Sequence, residues 1–219
     1  SPGPGISRPY CRQRFRLVSS AVFRPEGFYL NGRKLKLRGL NRHQSYPYVG
    51  YAMPRSMQRL DADILKTELG VNAVRTSHNP ASEAFLNLCD TLGIYVLEET
   101  RLMGINPAQL EPLRRMIERD KHHPSIIMWG VGNEEWGIEW TSKGEAIAAA
   151  MTEYVHGLDP SRPVVVASSS GPEILKGADV AGYNYILQHN IDEDHMKYPA
   201  RIAVGTEETT GCGTRGVYF

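Results

Sequence analysis

Two glutamates stand out for where they fall in the chain. Glu134 follows the apolar run Ile126-Ile127-Met128-Trp129-Gly130-Val131-Gly132-Asn133, and Glu207 follows Ile202-Ala203-Val204-Gly205-Thr206. Short apolar runs bounded by breakers such as Pro124 and Gly130 read as buried parallel strands. An acid is costly inside a core but ordinary where a strand opens at the mouth of a barrel or α/β sheet, and active sites lie there. Two carboxylates on different strands suit glycoside hydrolysis. One protonates the leaving oxygen and the other attacks the anomeric carbon or positions water, through an oxocarbenium-like transition state. A gap of about 5–5.5 Å predicts retention of configuration and one of about 6.5–9.5 Å inversion, a distance the sequence does not supply. Mutual repulsion in such a pair raises one of the two pKa values. Taken singly, a strand-end glutamate is more often a surface ion-pair partner than a catalyst; two of them among six polar strand ends bring the readings level.

Other residues could serve the same chemistry. Asn133, beside Glu134, could donate an amide hydrogen bond to a sugar hydroxyl. Arg75 is permanently cationic and would keep a carboxylate ionised if it reaches one. His43 and His78 also follow strands, and taken singly each reads as a loop or helix-cap histidine more readily than as a ligand. Of Glu134 and Glu135, at most one need face a substrate, because side chains alternate along a strand. Trp129 lies inside the apolar run and reads as core. Trp136 and Trp140, in the loop beyond, either stack on a sugar face or pack that loop down. No H-E-x-x-H or EF-hand spacing is present, so a divalent cation has no matching motif. The run Gly211–Gly216 lacks the G-K-[ST] of a phosphate loop.

These side chains need a frame, and the chain repeats one grammar: strand, polar loop, amphipathic helix. Helical spacing of Met57, Leu60, Ile64, Leu65 and Leu69, stopped by Gly70, predicts the first helix. Others are predicted at about 82–92, 108–119 and 145–156, with a short helical piece at 172–176. Strands are predicted at 35–40, 71–74, 94–97, 126–133, 164–167, 180–183 and 202–205. Ahead of them, Asn31-Gly32 between strand-like pieces predicts a hairpin, and Phe15–Val18 predicts a short edge strand. Such alternation predicts a parallel sheet with helices outside it. Polar residues recur at strand ends: Asn41 and His43, Ser77 and His78, Glu99, Asn133 and Glu134, Asn184 and Tyr185, Glu207. An open sheet would spread them along an edge, whereas a barrel gathers them around one mouth. The expected fold is therefore α/β, a (β/α)8 TIM barrel that stops after its seventh strand, over residues 23–219. Residues 1–22 are expected to be a leader or the tail of a preceding domain.

Composition is that of an ordinary globular chain. Its 219 residues hold 25 Lys+Arg against 24 Asp+Glu, which gives no electrostatic reason to expect nucleic acid or an anionic membrane as partner. No apolar run reaches transmembrane length and no signal peptide is visible. Three scattered cysteines make neither a zinc motif nor a disulfide framework. Cys89 reads as a small buried apolar group. Compartment, cytoplasmic or extracytoplasmic, stays open.

Several stretches together resemble the catalytic barrel of glycoside hydrolase family 2, the β-galactosidase/β-glucuronidase family. They are Asn31-Gly32 through Gly39-Leu40-Asn41-Arg42-His43, Ala73-Val74-Arg75-Thr76-Ser77-His78-Asn79-Pro80, His123-Pro124 through Trp129 with Gly132-Asn133-Glu134, and Asp159-Pro160-Ser161-Arg162-Pro163. The resemblance implies a retaining exo-glycosidase with Glu134 as acid/base and Glu207, in Gly205-Thr206-Glu207, as nucleophile. It further implies that Tyr185 hydrogen-bonds the nucleophile, that Arg75 lies beneath it, that His43 and His78 contact the sugar, and that Glu99 is the acidic end of the third strand. Asn41-Arg42-His43 resembles β-galactosidases, whereas β-glucuronidases usually carry lysine for this arginine, so a terminal β-D-galactoside or related oligosaccharide is the expected substrate. A β-glucuronidase and a non-catalytic carbohydrate-binding barrel are the alternatives. The loop after Glu99 lacks the Glu-x-His pattern that holds magnesium in some β-galactosidases, so no cofactor is expected. Further domains of the same chain are expected as partners, and a homo-oligomer stays open.

Overall fold

Seven short strands pair side by side, every neighbour parallel, in the computed structural model, which describes residues 21–209. In sheet order they are β4 (Gly39–Asn41), β5 (Ala73–Arg75), β6 (Tyr95–Glu99), β7 (Ile126–Asn133), β8 (Val164–Ser168), β9 (Val180–Asn184) and β10 (Ala203–Glu207). Chain order and sheet order coincide, as expected when each crossover is a helix that packs back on the sheet. The crossovers carry α1 (Arg55–Asp63), α2 (Glu83–Leu92), α3 (Pro107–Asp120) and α4 (Ser142–Leu158), with a 3-10 turn at Ile174–Gly177 before β9 and α5 (Ile191–Lys197) before β10. The helix bounds follow local chemistry. Ser82, Asn106 and Thr141 cap α2, α3 and α4 with side-chain oxygens, and Gly93 ends α2 at a φ of 65°.

The sheet is curled into a barrel. Arg75 on β5 and Glu207 on β10 stand five strand steps apart, which would be ~24 Å in a flat sheet at ~4.8 Å per step, yet their side chains approach to 2.7 Å. Two apolar layers result. The outer one joins Val96, Trp129, Val131, Val164 and Val166 to Phe85 and Leu86 of α2, Leu113 and Ile117 of α3, and Met151 and Val155 of α4. The inner one joins Met128, Val165 and Val180 to Leu97, Val204 and Phe23. Phe23 comes from an antiparallel sheet formed by β1 (Ala21–Arg24), β2 (Gly27–Leu30) and β3 (Arg33–Lys34), turned by Asn31-Gly32 at φ values of 49° and 78°. Phe28 of β2 meets Tyr95 at the start of β6 edge-on, with ring centroids 6.1 Å apart. The small sheet therefore packs at the N-terminal end of the barrel strands, opposite the predicted mouth.

Differences from the expected elements are local. The first barrel strand covers Gly39–Asn41 rather than 35–40, because 33–34 pair back onto β2 in the hairpin. The first helix continues past Asp63 as a π-helical turn, Ile64–Glu68. Helix α5 was not predicted: it buries no residue, so it lacks the apolar periodicity that reveals a helix. The predicted strand at 15–18 lies outside the described residues. Trp129 and Cys89 are buried as expected, the indole N–H donating to Asp159 Oδ2 at 2.9 Å. Among the described residues, no helix is long and apolar enough to cross a membrane.

Candidate active site

Along β6 the side chains alternate as a strand requires. Val96 and Glu98 face the helices, while Leu97 and Glu99 face the barrel interior. The interior has room for Glu99 because Gly130 stands beside it on β7: a Cβ there would meet Glu99 Cβ at 2.4 Å. Arg75, ending β5, reaches across the mouth and meets three acceptors. Its Nε donates to Glu99 Oε2, one terminal nitrogen to Glu207 Oε1 and the other to Asn133 Oδ1, each at 2.7 Å. A planar guanidinium with its donors in a fixed fork suits such a junction. Arg75 and Glu99 are both buried, so this pair is shielded from salt and solvent.

Strand irregularities aim both candidate carboxylates. The pairing of β7 with β8 shifts between Gly130 and Asn133, and that of β10 with β9 shifts between Gly205 and Glu207. Bulges of this kind bend a strand and re-aim its next side chain. Glu134 then takes a φ of 53°, in the left-handed region that a non-glycine residue adopts at a cost of about 1–3 kcal/mol. Its direction is thus set by a backbone kink beyond β7, which ends at Asn133, and not by the strand alternation used to separate it from Glu135. Tyr185, immediately after β9, is left-handed too, at 55°. Its hydroxyl donates to Glu207 Oε2 at 2.9 Å, so both oxygens of Glu207 are held, one by Arg75 and one by Tyr185. That bond, with burial second, pushes the Tyr185 hydroxyl up to about 12.

The histidines line the same mouth. His78 Nδ1 lies 2.7 Å from Glu99 Oε1 and its Nε2 3.5 Å from Glu207 Oε1. His43 packs edge-on against His78 with ring centroids 5.3 Å apart. Burial lowers the His43 pKa, neighbouring His78 and Arg75 lower it further, and Glu207 and Glu99 offset part of this, so the ring is neutral at neutral pH. Of the predicted residues, Glu134, Glu207, His43, Arg75, His78, Asn133 and Tyr185 come together at the C-terminal ends of the strands. Trp136 does not join their hydrogen-bond network. It stands in the following loop, 72% exposed, with Trp140 61% exposed further along.

Four further residues support the site, and the sequence reading gave none of them a role, although it placed Asn184 among the polar strand ends. Asn184 is fully buried, and its Nδ2 donates to Glu134 Oε1 at 2.8 Å and to Asn133 Oδ1 at 2.9 Å. Thr206 donates its hydroxyl to Asn184 Oδ1 at 2.6 Å. Arg101 donates to the Asn133 carbonyl and lies 3.6 Å from Glu135. Buried Glu139 accepts from the backbone N–H groups of Ser169, Ser170 and Gly171, stapling the loop after Glu134 to the loop after β8. The first two occupy polar strand ends, a signal already visible; a lone loop acid such as Glu139 carries none. Arg42 differs from its motif neighbour His43: its buried guanidinium bonds Asp61 and Gln58 and stacks on Phe85, within the helix layer.

The family model for glycosyl hydrolases family 2, TIM barrel domain, matches residues 22–112 and 105–200. A β-galactosidase of Thermoanaerobacterium thermosulfurigenes is 55% identical over 148 residues, 65% of this chain and 20% of that protein. A β-galactosidase of Thermoanaerobacter pseudethanolicus is 43% identical over 196 residues, 83% of this chain and 25% of that one. A β-glucuronidase of Sus scrofa is 35% identical over 183 residues, 78% and 28% of the two chains. Among solved structures, a glycosyl hydrolase family 2 member from Bacteroides cellulosilyticus superposes with a TM-score of 0.77 at 36% identity, covering 85% of this chain and 27% of the other. The chain thus spans between a fifth and three tenths of the length of these proteins.

Proposed function

The chain belongs to glycosyl hydrolase family 2, as its TIM-barrel domain, and from that premise we propose that it is the catalytic barrel of a retaining exo-glycosidase that releases terminal β-D-galactose. One observation carries the reading: Glu134 and Glu207 end different strands at one mouth and are tied into a single network through Asn184, Asn133 and Arg75.

In this scheme Glu207 attacks the anomeric carbon, its carboxylate aimed by Arg75 and Tyr185. Glu134 protonates the departing glycosidic oxygen, then takes a proton from the water that hydrolyses the covalent glycosyl-enzyme. Asn133 spends its oxygen on Arg75 and Asn184, which leaves its amide nitrogen for a sugar hydroxyl. His43 and His78 contribute further hydrogen bonds to the glycone, and Trp136 offers a face for stacking. No divalent cation enters the scheme. The two oxygens of Glu99 already bind Arg75 and His78, and Arg101 stands two residues on, so this strand end is a poor donor set for one.

Galactose as glycone is supported by the named activity of the 55% and 43% identical relatives. Arg42, through which the Asn41-Arg42-His43 motif favours galactosides, turns into the helix layer, so its influence on the sugar passes through His43. A β-glucuronidase is the second reading, favoured by the 35% identical Sus scrofa relative. Hydrolysis of a panel of nitrophenyl glycosides by the intact protein separates the two. Turnover of the galactoside supports the first, turnover of the glucuronide alone the second. Glu134→Gln and Glu207→Gln should each cost several orders of magnitude in kcat, with azide partly restoring Glu207→Ala. Undiminished turnover in either glutamine variant would remove the carboxylate assignment.

A further inference from the structure

We propose that Asn184 is a positioning residue for acid catalysis: it fixes the carboxyl of Glu134 where the departing glycosidic oxygen will be. The proposal rests on the assignment of Glu134 as acid/base.

The chain of donors admits one orientation. A guanidinium has no acceptor, so the Asn133 atom facing Arg75 at 2.7 Å must be the oxygen. That oxygen also lies 2.9 Å from the Asn184 amide, so the facing Asn184 atom must be the nitrogen. The other end of the amide is then the oxygen, and the Thr206 hydroxyl 2.6 Å away must donate to it. The remaining Asn184 N–H points at Glu134 Oε1, 2.8 Å distant. Arg75, through two side-chain amides, therefore dictates that Glu134 meets a donor and not an acceptor. Asn184 and Asn133 are buried, which shields the bonds from Arg75 through Thr206 from water, while the bond to the Glu134 carboxyl is partly buried at the mouth.

A donor on the carboxyl holds it where the leaving oxygen will be, which matters when that oxygen needs a proton and little when it departs unaided. Arg75 thereby serves both carboxylates, Glu207 directly and Glu134 through Asn133 and Asn184.

The experiment compares kcat/KM for an alkyl and a 2,4-dinitrophenyl glycoside of the preferred sugar in the intact protein. Asn184→Ala is expected to lose at least about tenfold on the alkyl substrate, the range for a hydrogen bond to a charged group, and to lose much less on the dinitrophenyl substrate. Thr206→Val, which frees the amide without emptying the site, should give a smaller loss of the same pattern, and Thr206→Ser should recover most of it. Equal losses on both substrates, in Asn184→Ala and Thr206→Val alike, would overturn the proposal; if Asn184→Ala fails to fold, the threonine pair decides. Glu134→Gln is run beside them. If it shows no leaving-group dependence, the acid/base assignment fails and the Asn184 proposal with it; if it does and the others do not, only the Asn184 proposal fails.

Discussion

Arg75 and Glu207 are 132 residues apart in sequence and 2.7 Å apart in space, and the same guanidinium holds Glu99 at an equal distance. One cation therefore joins the ends of β5, β6 and β10. Removing it takes the permanent cation from buried Glu99 and leaves only His78 beside that carboxyl, a loss worth up to about 3–5 kcal/mol. Arg75→Met should lower the urea midpoint accordingly and abolish turnover. Arg75→Lys keeps the charge but cannot offer a fork to three acceptors, so it should regain part of the stability and little of the activity. Urea titration followed by circular dichroism, set beside kcat, tests both; a methionine variant as stable as the parent would refute the junction.

Tyr185 bonds the opposite oxygen of Glu207. Its pKa, pushed up to about 12 chiefly by that bond, keeps it a donor throughout the ordinary pH range. Tyr185→Phe should reduce kcat/KM by about 10–100-fold, the range for a hydrogen bond to a charged group. The parent should show no tyrosine ionisation in its pH profile below about pH 10, the unperturbed value. Rates measured from pH 5 to 10 on parent and variant check both statements.

Much of this site could be read from strand ends alone. The apolar runs before Arg75, Glu99, Glu134, Tyr185 and Glu207 are strong period signals, and a closed sheet carries the residues that follow them to one rim. What stayed hidden depends on backbone irregularity. Glycines inside a strand, here Gly130, Gly132 and Gly205, hint at a bulge but not at where the next side chain will point, so alternation along β7 gave the wrong reason for the direction of Glu134. Asn184 looked like any polar strand end, because its partners come from β7 and β10 and only their register brings them together. Helix α5 failed for a different reason: seven residues with no buried side chain give nothing periodic to detect.

Asp159 anchors the far end of the frame. Burial alone would raise its pKa, but donors from Ser161, Trp129 and Arg162 outweigh that and hold it at about 2. A carboxylate depressed in the folded state adds stability above its unfolded pKa of about 4, and that increment fades as pH falls from about 4 to 2. The contribution is about 2 kcal/mol. Asp159→Asn should therefore be less stable than the parent at pH 6, with the gap narrowing as pH is lowered toward 2. A gap of constant size over that range, by urea titration at each pH, would show that the charge is not what matters.

Glu98 presents the opposite case, one residue from Glu99 and on the other face of β6. Its Oε1 accepts from the Ala81 N–H at 2.7 Å, while Oε2 is buried and, among the described residues, has no hydrogen-bond partner. Burial, with the neighbouring Asp120 carboxylate adding to it, pushes its pKa up to about 8. Between about pH 4.5 and 8 the folded chain thus binds a proton that the unfolded chain has released, so stability falls as pH rises through this window and levels off above it. Glu98→Gln keeps the shape and the acceptor for Ala81 but cannot ionise. It should match the parent near pH 5 and exceed it by on the order of 3 kcal/mol at pH 9, a difference read from urea midpoints at the two pH values. Parallel pH dependences for parent and variant would mean that Glu98 is ionised, with a compensating partner, in the folded barrel.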